Sequence, residues 1–556
     1  MVNVKNLFGM AVMATALVGC SSNDNLAPDG NGGNKDGAAY ASFTINLPTT
    51  RATRATDGEP SFAEGDAKEY EVKNGTILIF DMDGKYVTSA QLGNMNPWKD
   101  IKTDGVTTAA TATVQLSGVT VGGSYQALVL LNNDVDDAPS KVTLPTSGES
   151  YADWSANAEN ANATYTNTDY IFMANAPKYT GTSTEPTTLV PVANICASRE
   201  QAEAQAATTV YVERGLAKVT MQKFNADGYS IAAGTYEGGK VEITAWQLDV
   251  TNKSTFPVHQ TDGLMTAWDQ IWNTGRFFDA TSSMFQRVYW GKDPNYSGGA
   301  LQDLAACKDA FNMITNDKVV GEAGIENPQY CLENTFDLAN MMQGQTTRVV
   351  FKAVFTPKGF TGSETFYKIG NNTAIWDATK LAQQIKTVAV TAMGITDAAE
   401  QNKYSVDLSK GSNISGVAGQ HLVEAGNIIY SGEAASSKVT EAIVNAINEK
   451  LGLSAKTGIS TYLNGEAYYI ARIKHFNELT HWEAGQAYDT DNAAFLGRYG
   501  VLRNNWYDLA VNSISGLGYP DIPEVKPNMP DDENEQFINV EVKILDWAKR
   551  SQNIDL

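Results

Sequence analysis

One segment near the end of the chain, residues 537–548, constrains the fold more than any other. It reads Phe-Ile-Asn-Val-Glu-Val-Lys-Ile-Leu-Asp-Trp-Ala, so apolar and polar residues alternate. Ile538, Val540, Val542 and Ile544 share one face. This period of two predicts a β-strand with one buried face. Because a lone strand leaves its backbone donors and acceptors unpaired, this strand must join a sheet.

The residues before this strand, 520–535, are rich in proline and acidic side chains, which predicts a solvated tether. A strand on such a tether either docks on its own domain or completes the sheet of another subunit. The alternation slips at Ile544 and Leu545, so we expect Leu545 and Trp547 to continue the apolar contact beyond a β-bulge. The beginning of the chain favours docking on another subunit.

The first twenty residues have the form of a bacterial export signal. Lys5 precedes an apolar run, residues 7–18, which is too short to span a bilayer as a stable helix. The pair Gly19-Cys20 resembles a lipobox, in which the cysteine becomes lipidated. We expect a lipoprotein signal peptide at 1–20 and a lipid on Cys20. An ordinary signal peptide with a chance cysteine is the alternative.

A second strand with one apolar face lies close to the start of the chain. Residues 21–38 contain few apolar side chains that a core could bury, and this composition predicts a flexible spacer. Residues 42–47 then alternate, with Phe43, Ile45 and Leu47 on one face. We therefore expect a first strand that precedes the body of the protein.

The loop after this first strand is small and polar and contains Arg51 and Arg54. Exposed segments of this kind are preferred sites of proteolytic nicking. The alternative is a pair of solvated arginines that no protease cuts. The position between a first strand and the rest of the chain favours cleavage.

Several stretches of the chain carry a resemblance to a known family. The Val-x-Arg-Asn-Asn-x-Tyr element at 501–507 is fairly specific, whereas the individual strands are not. The other matching stretches are 210–219, 243–246, 349–353 and 540–547. Together they resemble the fimbrillins of the Bacteroidales, in particular the shaft subunit of the minor, short fimbriae.

The resemblance implies a lipidated precursor at the outer membrane that an Arg-specific extracellular protease cuts in the loop after the first strand. Residues 21–54 then form a propeptide, and the doubled arginine leaves the cut after Arg51 or Arg54 open, although Arg54 aligns better with the family's site. Loss of the first strand opens a groove, which receives the donor strand of a neighbouring subunit. The implied partners are copies of the chain in a head-to-tail polymer and the fimbrial anchor and tip subunits. The implied role is a surface fimbria that supports adhesion and biofilm formation.

The fold class predicted is mainly β, because many short strands with turn residues between them are typical of β-sandwiches. The length of 556 residues favours two globular domains. We predict tandem β-sandwich domains, transthyretin-like by resemblance, with inserted loops and short helices. One helix is predicted over 438–451, where Val439, Ile443, Ile447 and Leu451 recur at helical spacing. Their predicted bounds are 55–255 and 256–519, followed by a tether and donor strand at 520–556. Residues 210–221 and 241–250 are predicted to be the strands that close the first domain.

The net charge of −22 and the pI near 4.6 exclude some partners. Acidic side chains are spread along the chain, which opposes binding to nucleic acid or to an anionic membrane surface. No segment after residue 20 is long and apolar enough to cross a membrane. We therefore expect attachment to the membrane through the lipid of the precursor alone.

Four cysteines are few for an exported chain, and the resemblance reserves Cys20 for lipid. Of the remaining three, Cys307 and Cys331 are candidates for a disulfide in an oxidising compartment. The alternative is that they are buried free thiols.

No motif in the sequence predicts catalysis or a cofactor. His475 and His481 do not have zinc-ligand spacing. Asp81-x-Asp83-Gly84 opens like a calcium loop but lacks the distal bidentate acid, so a hairpin turn explains it better. We therefore predict a protein that is not an enzyme. A fimbrial tip adhesin, a membrane-retained anchor and a surface glycan-binding or glycan-cleaving lipoprotein are the alternatives to a shaft subunit.

Overall fold

The computed structural model describes residues between 38 and 547, with gaps. The described ranges are 38–48, 62–63, 66–93, 99–103, 106–134, 141–160, 162–179, 185–264, 286–295, 301, 303–314, 319–409, 411–475, 496–531 and 537–547. Within them, strands far outnumber helices, which agrees with the predicted mainly β class.

The first sheet has nine strands in the order β4-β3-β7-β9-β11-β1-β6-β5, with β10 beside β7. Its strands are β1 (Ala39–Pro48), β3 (Gly75–Phe80), β4 (Tyr86–Gln91), β5 (Lys99–Thr103), β6 (Val106–Leu116), β7 (Gln126–Leu131), β9 (Met173–Asn175), β10 (Val190–Pro191) and β11 (Thr208–Arg214). Apolar side chains from β1, β3, β6, β7 and β11 of this sheet meet in one core.

The β3–β4 hairpin shows how local sequence positions these strands. The Asp81 carboxylate accepts hydrogen bonds from the backbone N–H groups of Asp83 and Lys85, at 3.0 and 2.8 Å. Gly84 has φ +73°, a conformation that favours glycine. The predicted hairpin turn is therefore present at this Asp-x-Asp-Gly sequence.

Two further sheets face each other across a second core, as in a β-sandwich. The five-stranded sheet has the order β18-β12-β28-β29-β2, and the four-stranded sheet has the order β13-β14-β19-β27. Their strands are β2 (Phe62–Ala63), β12 (Leu216–Met221), β13 (Tyr229–Ser230), β14 (Lys240–Asp249), β18 (Gly324–Leu332), β19 (Arg348–Thr356), β27 (Glu466–Arg472), β28 (Asn505–Ile514) and β29 (Ile538–Trp547). A third core, which includes Leu128 of β7 and Trp506 of β28, joins this sandwich to the first sheet.

Residues 210–221 were expected to form one strand, but Gly215 divides them into β11 and β12, which lie in different sheets. The Gly215 N–H donates to the Phe172 carbonyl at 2.8 Å, and a Cβ at Gly215 would lie 3.3 Å from the Phe172 ring. Glycine permits this close approach where the chain changes sheets.

The strand predicted at 241–250 is β14, which pairs with β19 and so belongs with later strands rather than with the first sheet. Sheet membership changes at Gly215, well before the boundary predicted near 250–260. The division of the chain into domains remains a proposal.

A separate α/β module is inserted between the neighbouring strands β19 and β27. Its strands are β20 (Phe366–Ile369), β21 (Ile375–Trp376), β22 (Tyr404–Val406), β23 (Asn413–Ile414), β24 (Val417–His421), β25 (Ile428–Tyr430) and β26 (Ile459–Tyr462). Its helices are Ala378–Ala392, Ala398–Gln401 and Glu441–Lys450, and it has its own core. Thr440 caps the last of these helices, which was predicted from its spacing.

Short elements complete the described chain. The remaining helices are Tyr151–Ser155, Ala163–Thr166, Arg199–Ala204 and Leu304–Ala310. The two-stranded pairs are β8 (Glu159–Asn160) with β16 (Ser254–Thr255), and β15 (Thr251–Asn252) with β17 (Phe311–Asn312). Among the residues that the structure describes, none of the helices is long and apolar enough to span a bilayer.

Candidate functional site

The first strand lies inside its sheet rather than at an edge. β1 pairs in parallel with β11 on one side and antiparallel with β6 on the other. The register places Phe43 opposite Thr208 of β11 and Ala112 of β6. Removal of β1 would therefore expose two unpaired strand edges, and such edges readily accept another strand.

One face of β1 is part of the first core. Ala39, Ala41, Phe43, Ile45 and Leu47 are all fully buried. At about 1.5–3 kcal/mol each, the three large side chains contribute roughly 4.5–9 kcal/mol by leaving water. A strand that replaced β1 would have to restore comparable burial. The predicted apolar face is thus present in the structure, and its removal by a protease stays a prediction.

The opposite face of β1 makes polar contacts. The Ser42 hydroxyl lies 2.7 Å from the Thr113 hydroxyl and donates to the Ala202 carbonyl at 2.9 Å. Tyr40 exchanges backbone hydrogen bonds of 2.8 Å with Cys196. The groove that β1 fills therefore has a fully apolar side and a hydrogen-bonding side.

The predicted C-terminal strand is present as β29, but it docks on its own chain. It pairs antiparallel with β28, with Leu509 opposite Val542 and Val511 opposite Val540. Val540 is only 6% exposed and belongs to the sandwich core, and Val542 packs against the same core. The side chains of Ile538, Ile544, Leu545 and Trp547, which were also assigned to the donor face, lie outside the described residues.

The predicted bulge at Ile544 and Leu545 is absent from the β28–β29 pairing. The register shift lies instead on β28, between Val511 and Ser513. That shift lies opposite Asn539 and Val540, at the other end of β29, and the pairing of Ile544 and Leu545 with β28 is continuous.

The segment before β29, predicted to be a solvated tether over 520–535, packs against the sandwich in its described part. Asp531 is fully buried, and its carboxylate accepts a hydrogen bond from the Thr346 hydroxyl at 2.9 Å. Arg348 donates to the Pro523 carbonyl at 2.8 Å. The expectation of a solvated tether is therefore wrong for residues 520–531, because these polar groups have partners within the fold.

Glu69, which follows the predicted cleavage loop, is held by contacts with three strands. Glu69 is 1% exposed, and its carboxylate accepts from Lys218 at 2.7 Å and from the Tyr330 hydroxyl at 2.5 Å. Its backbone carbonyl accepts from Arg214 at 2.8 Å. Because β11, β12 and β18 supply these donors, Glu69 holds the chain against both parts of the molecule.

The Arg503-Asn504-Asn505 element joins the first sheet to the sandwich, a role that the sequence did not reveal. The side-chain amide oxygen of Asn504, Oδ1, accepts from the Arg214 side chain at 3.1 Å, at the end of β11. Asn504 has φ +57°, which asparagine tolerates better than most residues. The Asn505 amide donates to the Arg503 carbonyl at 3.1 Å. The family-like motif is therefore a structural junction.

A buried group of charges surrounds this junction. His259 Nδ1 lies 2.6 Å from Glu213 Oε1, and Arg503 donates to Glu333 at 3.0 Å. Burial raises the pKa of Glu213, but the opposing effects of His259 and Arg287 hold that pKa below its ordinary value. These contacts connect Glu213 of β11 to Glu333 and Arg503, which lie next to β18 and β28.

The candidate disulfide is not formed. Cys307 and Cys331 are both free and buried. Cys331 lies in β18 within the sandwich core, whereas a Cβ at Gly344 would lie 2.6 Å from the Cys307 sulfur. Burial raises the pKa of the Cys307 thiol to about 11 and that of Cys331 to about 12, which keeps both protonated. The alternative of buried free thiols describes this structure.

Three predicted site residues lie outside the described residues: Cys20, Arg51 and Arg54. Lipidation and proteolytic processing therefore stay predictions. Among the described residues, His/Cys/Asp/Glu side chains do not gather in a group of three or more that could hold a metal. His475 is buried with its Nδ1 2.7 Å from the Tyr507 hydroxyl, and His481 is outside the described ranges.

One comparison bears on the part of the chain that carries β27, β28 and β29. Residues 460–553 match the family model described as "Major fimbrial subunit protein type IV, Fimbrillin, C-terminal". This match supports a fimbrillin-type protein and a fimbrial subunit. Sequences of curated proteins gave no match.

Two solved structures are similar to this chain at low identity. A putative cell adhesion protein from Parabacteroides distasonis has 10% identity and a TM-score of 0.40, with 92% of this chain and 98% of that chain covered. The tip fimbrial protein Mfa3 from Porphyromonas gingivalis, truncated at its C-terminus, has 11% identity and a TM-score of 0.30, with coverage of 91% and 100%. Similarity at this level carries no argument about the role of this chain.

Proposed function

We propose that this chain is the shaft subunit of a bacterial surface fimbria and that it polymerises by protease-triggered donor-strand exchange. The observation that carries the proposal is the position of β1, which fills the middle of a sheet and is followed by the loop with Arg51 and Arg54. A single cut in that loop would separate β1 from the rest of the chain. Its departure would leave an apolar groove between β6 and β11.

β29 supports the donor role in this proposal. Like β1, it has alternating apolar residues, and Val540 and Val542 pack in a β-sandwich core. A neighbour's β29 in the groove would restore backbone pairing to β6 and β11. Because each subunit both offers a strand and accepts one, the contact is heterologous and builds an open filament.

The proposed precursor is lipidated at Cys20, is held at the outer membrane and is cut by an Arg-specific extracellular protease after Arg54 or Arg51. The proposed partners are further copies of the chain and the fimbrial anchor and tip subunits, and the fimbria supports adhesion and biofilm formation.

We also propose two tandem transthyretin-like units. Their division at Gly215, rather than near 255, is favoured because sheet membership changes there.

A tip adhesin is the second candidate. The docking of β29 on its own sheet favours it, since a tip subunit needs a groove and has no need to donate a strand. The two candidates differ in a measurable way, because purified cleaved shaft subunits polymerise with each other and tip subunits do not.

The test is the double variant Arg51→Ala/Arg54→Ala compared with wild type. We expect the double variant to retain β1 and to stay monomeric after protease treatment, whereas wild type loses β1 and forms filaments. Electron microscopy measures filaments, and mass spectrometry of the mature N-terminus identifies the bond that is cut. The two single variants serve as controls that assign the site. Filaments from the double variant at wild-type yield would contradict the proposal.

A further inference from the structure

The short strand β2 lies where the two ends of the chain meet. It pairs in parallel with the end of β29, with Phe62 opposite Asp546 and Ala63 opposite Trp547. β28 pairs with β29 from Ile538 to Asp546 on the other side. Within the described residues, β29 therefore has neighbours on both edges only at its C-terminal end.

The other end of β29 is already secured. The Phe537 carbonyl accepts from the Ser515 N–H at 2.8 Å, and Val540 is in the core. Asp531, before the strand, is buried and bonded to Thr346. Peeling of β29 from β28 would therefore begin at its C-terminal end, which is the end that β2 covers.

β2 lies between two segments of the chain that are held in the fold. Downstream, Glu69 is fixed by Lys218 and Tyr330. Upstream, the chain leads through Arg54 and Arg51 to β1, which is held in the middle of the first sheet. A two-residue strand pair contributes little by itself, so its persistence depends on the rest of the chain. A cut at either arginine leaves β2 close to a free chain end, where segments are poorly ordered.

We propose that β2 is a clasp that keeps β29 docked on its own sheet in the precursor, and that cleavage at Arg51 or Arg54 releases this clasp. The cut that frees β1 then also frees the donor strand. This inference rests on the proposed function, because it assigns a regulatory role within the same strand exchange. It accounts for the proposed monomeric state of the unprocessed chain.

The test measures amide hydrogen exchange in full-length precursor, without any polymerisation step. The double variant Phe62→Pro/Ala63→Pro removes both backbone donors of β2 while the covalent chain stays intact. We expect amides in β29 to exchange at least about tenfold faster in this variant and in cleaved wild type than in the intact precursor. In the proline variant the amides of β1 and β19 should exchange as in wild type, which shows that the fold is kept.

Two further variants sharpen the test. Thr56→Pro, in the same connection but outside β2, is the matched control and should leave exchange in β29 unchanged. A long Gly-Ser insertion after Gly58 relaxes the connection without altering β2, and it should accelerate exchange in β29 even if the proline variant does not fold. Unchanged exchange in β29 in both the insertion variant and the cleaved protein would overturn the clasp.

Different experimental results would contradict the clasp and the proposed function. If exchange in β29 rises as expected but the cleaved protein forms no filaments, the clasp stands and strand exchange between copies is wrong. If filaments form while exchange in β29 responds to cleavage but not to the proline or insertion variants, polymerisation stands and β2 is not the clasp.

Discussion

Val540 and Val542 show how β29 is held at the scale of single residues. Val540 is 6% exposed in the sandwich core, and Val542 lies opposite Leu509, which is fully buried. These contacts are ordinary core packing, worth about 1.5–3 kcal/mol for each fully buried valine. A neighbour's groove must offer similar burial for exchange to occur.

Val542→Asp should block filament formation, because an unpaired carboxylate on the buried face is costly both on β28 and in a neighbour's groove. We expect the unfolding free energy of the precursor to fall by about 2 kcal/mol and filaments to be lost. Denaturant titration and electron microscopy measure the two effects. The matched control is Glu541→Gln on the alternate face of the strand, which should polymerise normally. Wild-type polymerisation of Val542→Asp would show that β29 is not the donor.

His475 makes stability depend on pH. Burial, with a smaller effect from Arg287, lowers the pKa of His475 to about 3. The unfolded chain has an ordinary histidine pKa near 6.5 and so binds the proton first as pH falls. The contribution of neutral His475 to the free energy of unfolding is therefore complete above about pH 6.5. It is lost as the pH falls from 6.5 to 3. Asp293 has the opposite effect on the pH dependence of stability. Because burial raises its pKa to about 7, its contribution to the free energy of unfolding is lost as the pH rises.

His475→Gln should flatten this acid dependence while keeping a polar partner for Tyr507. We expect the difference in unfolding free energy between wild type and variant to shrink by up to about 1.4 kcal/mol for each pH unit below 6. Urea titrations from pH 4 to pH 8 measure this difference. A constant difference across that range would mean that His475 is not neutral in the fold.

At the scale of elements, the segment before β29 and β29 itself are parts of the sandwich. Removal of 537–556 should therefore destabilise the protein, by about 3 kcal/mol or more from Val540 and Val542 alone. Thermal unfolding of the truncated and full-length precursors measures this loss. The control is a truncation after Ala548, which keeps β29 and should leave stability unchanged. Equal stability of the two truncated forms would mean that β29 contributes nothing to its own fold.

Local patterns predicted individual elements well. The alternation at 42–47 and at 538–544 predicted the strands β1 and β29, and helical spacing predicted the helix Glu441–Lys450. Periodicity reports which face of an element is buried but not what buries it. For that reason the sequence predicted neither the change of sheet at Gly215 nor the docking of β29 on β28. The burial of Asp531 was equally hidden, because a proline- and acid-rich composition is typical of solvated tethers.

At the scale of the whole molecule, the loop with Arg51 and Arg54 connects two sheets. β1 belongs to the first sheet, and β2 belongs to the five-stranded sheet that also contains β29. A cut between them would separate β1 from β2, the strand that pairs with β29. In the proposed strand exchange, one proteolytic event would therefore act on both the groove and the donor strand.

The most direct test of strand exchange locks β29 in place. Leu509 and Val542 are opposite each other in the β28–β29 pairing, and antiparallel partners are close enough for a disulfide. In the Leu509→Cys/Val542→Cys variant, we predict that the oxidised, cleaved protein stays monomeric and that reduction restores filaments. Each single variant should polymerise under both conditions. Equal polymerisation of the oxidised and reduced double variant would contradict the account, because β29 would then never need to leave its own sheet.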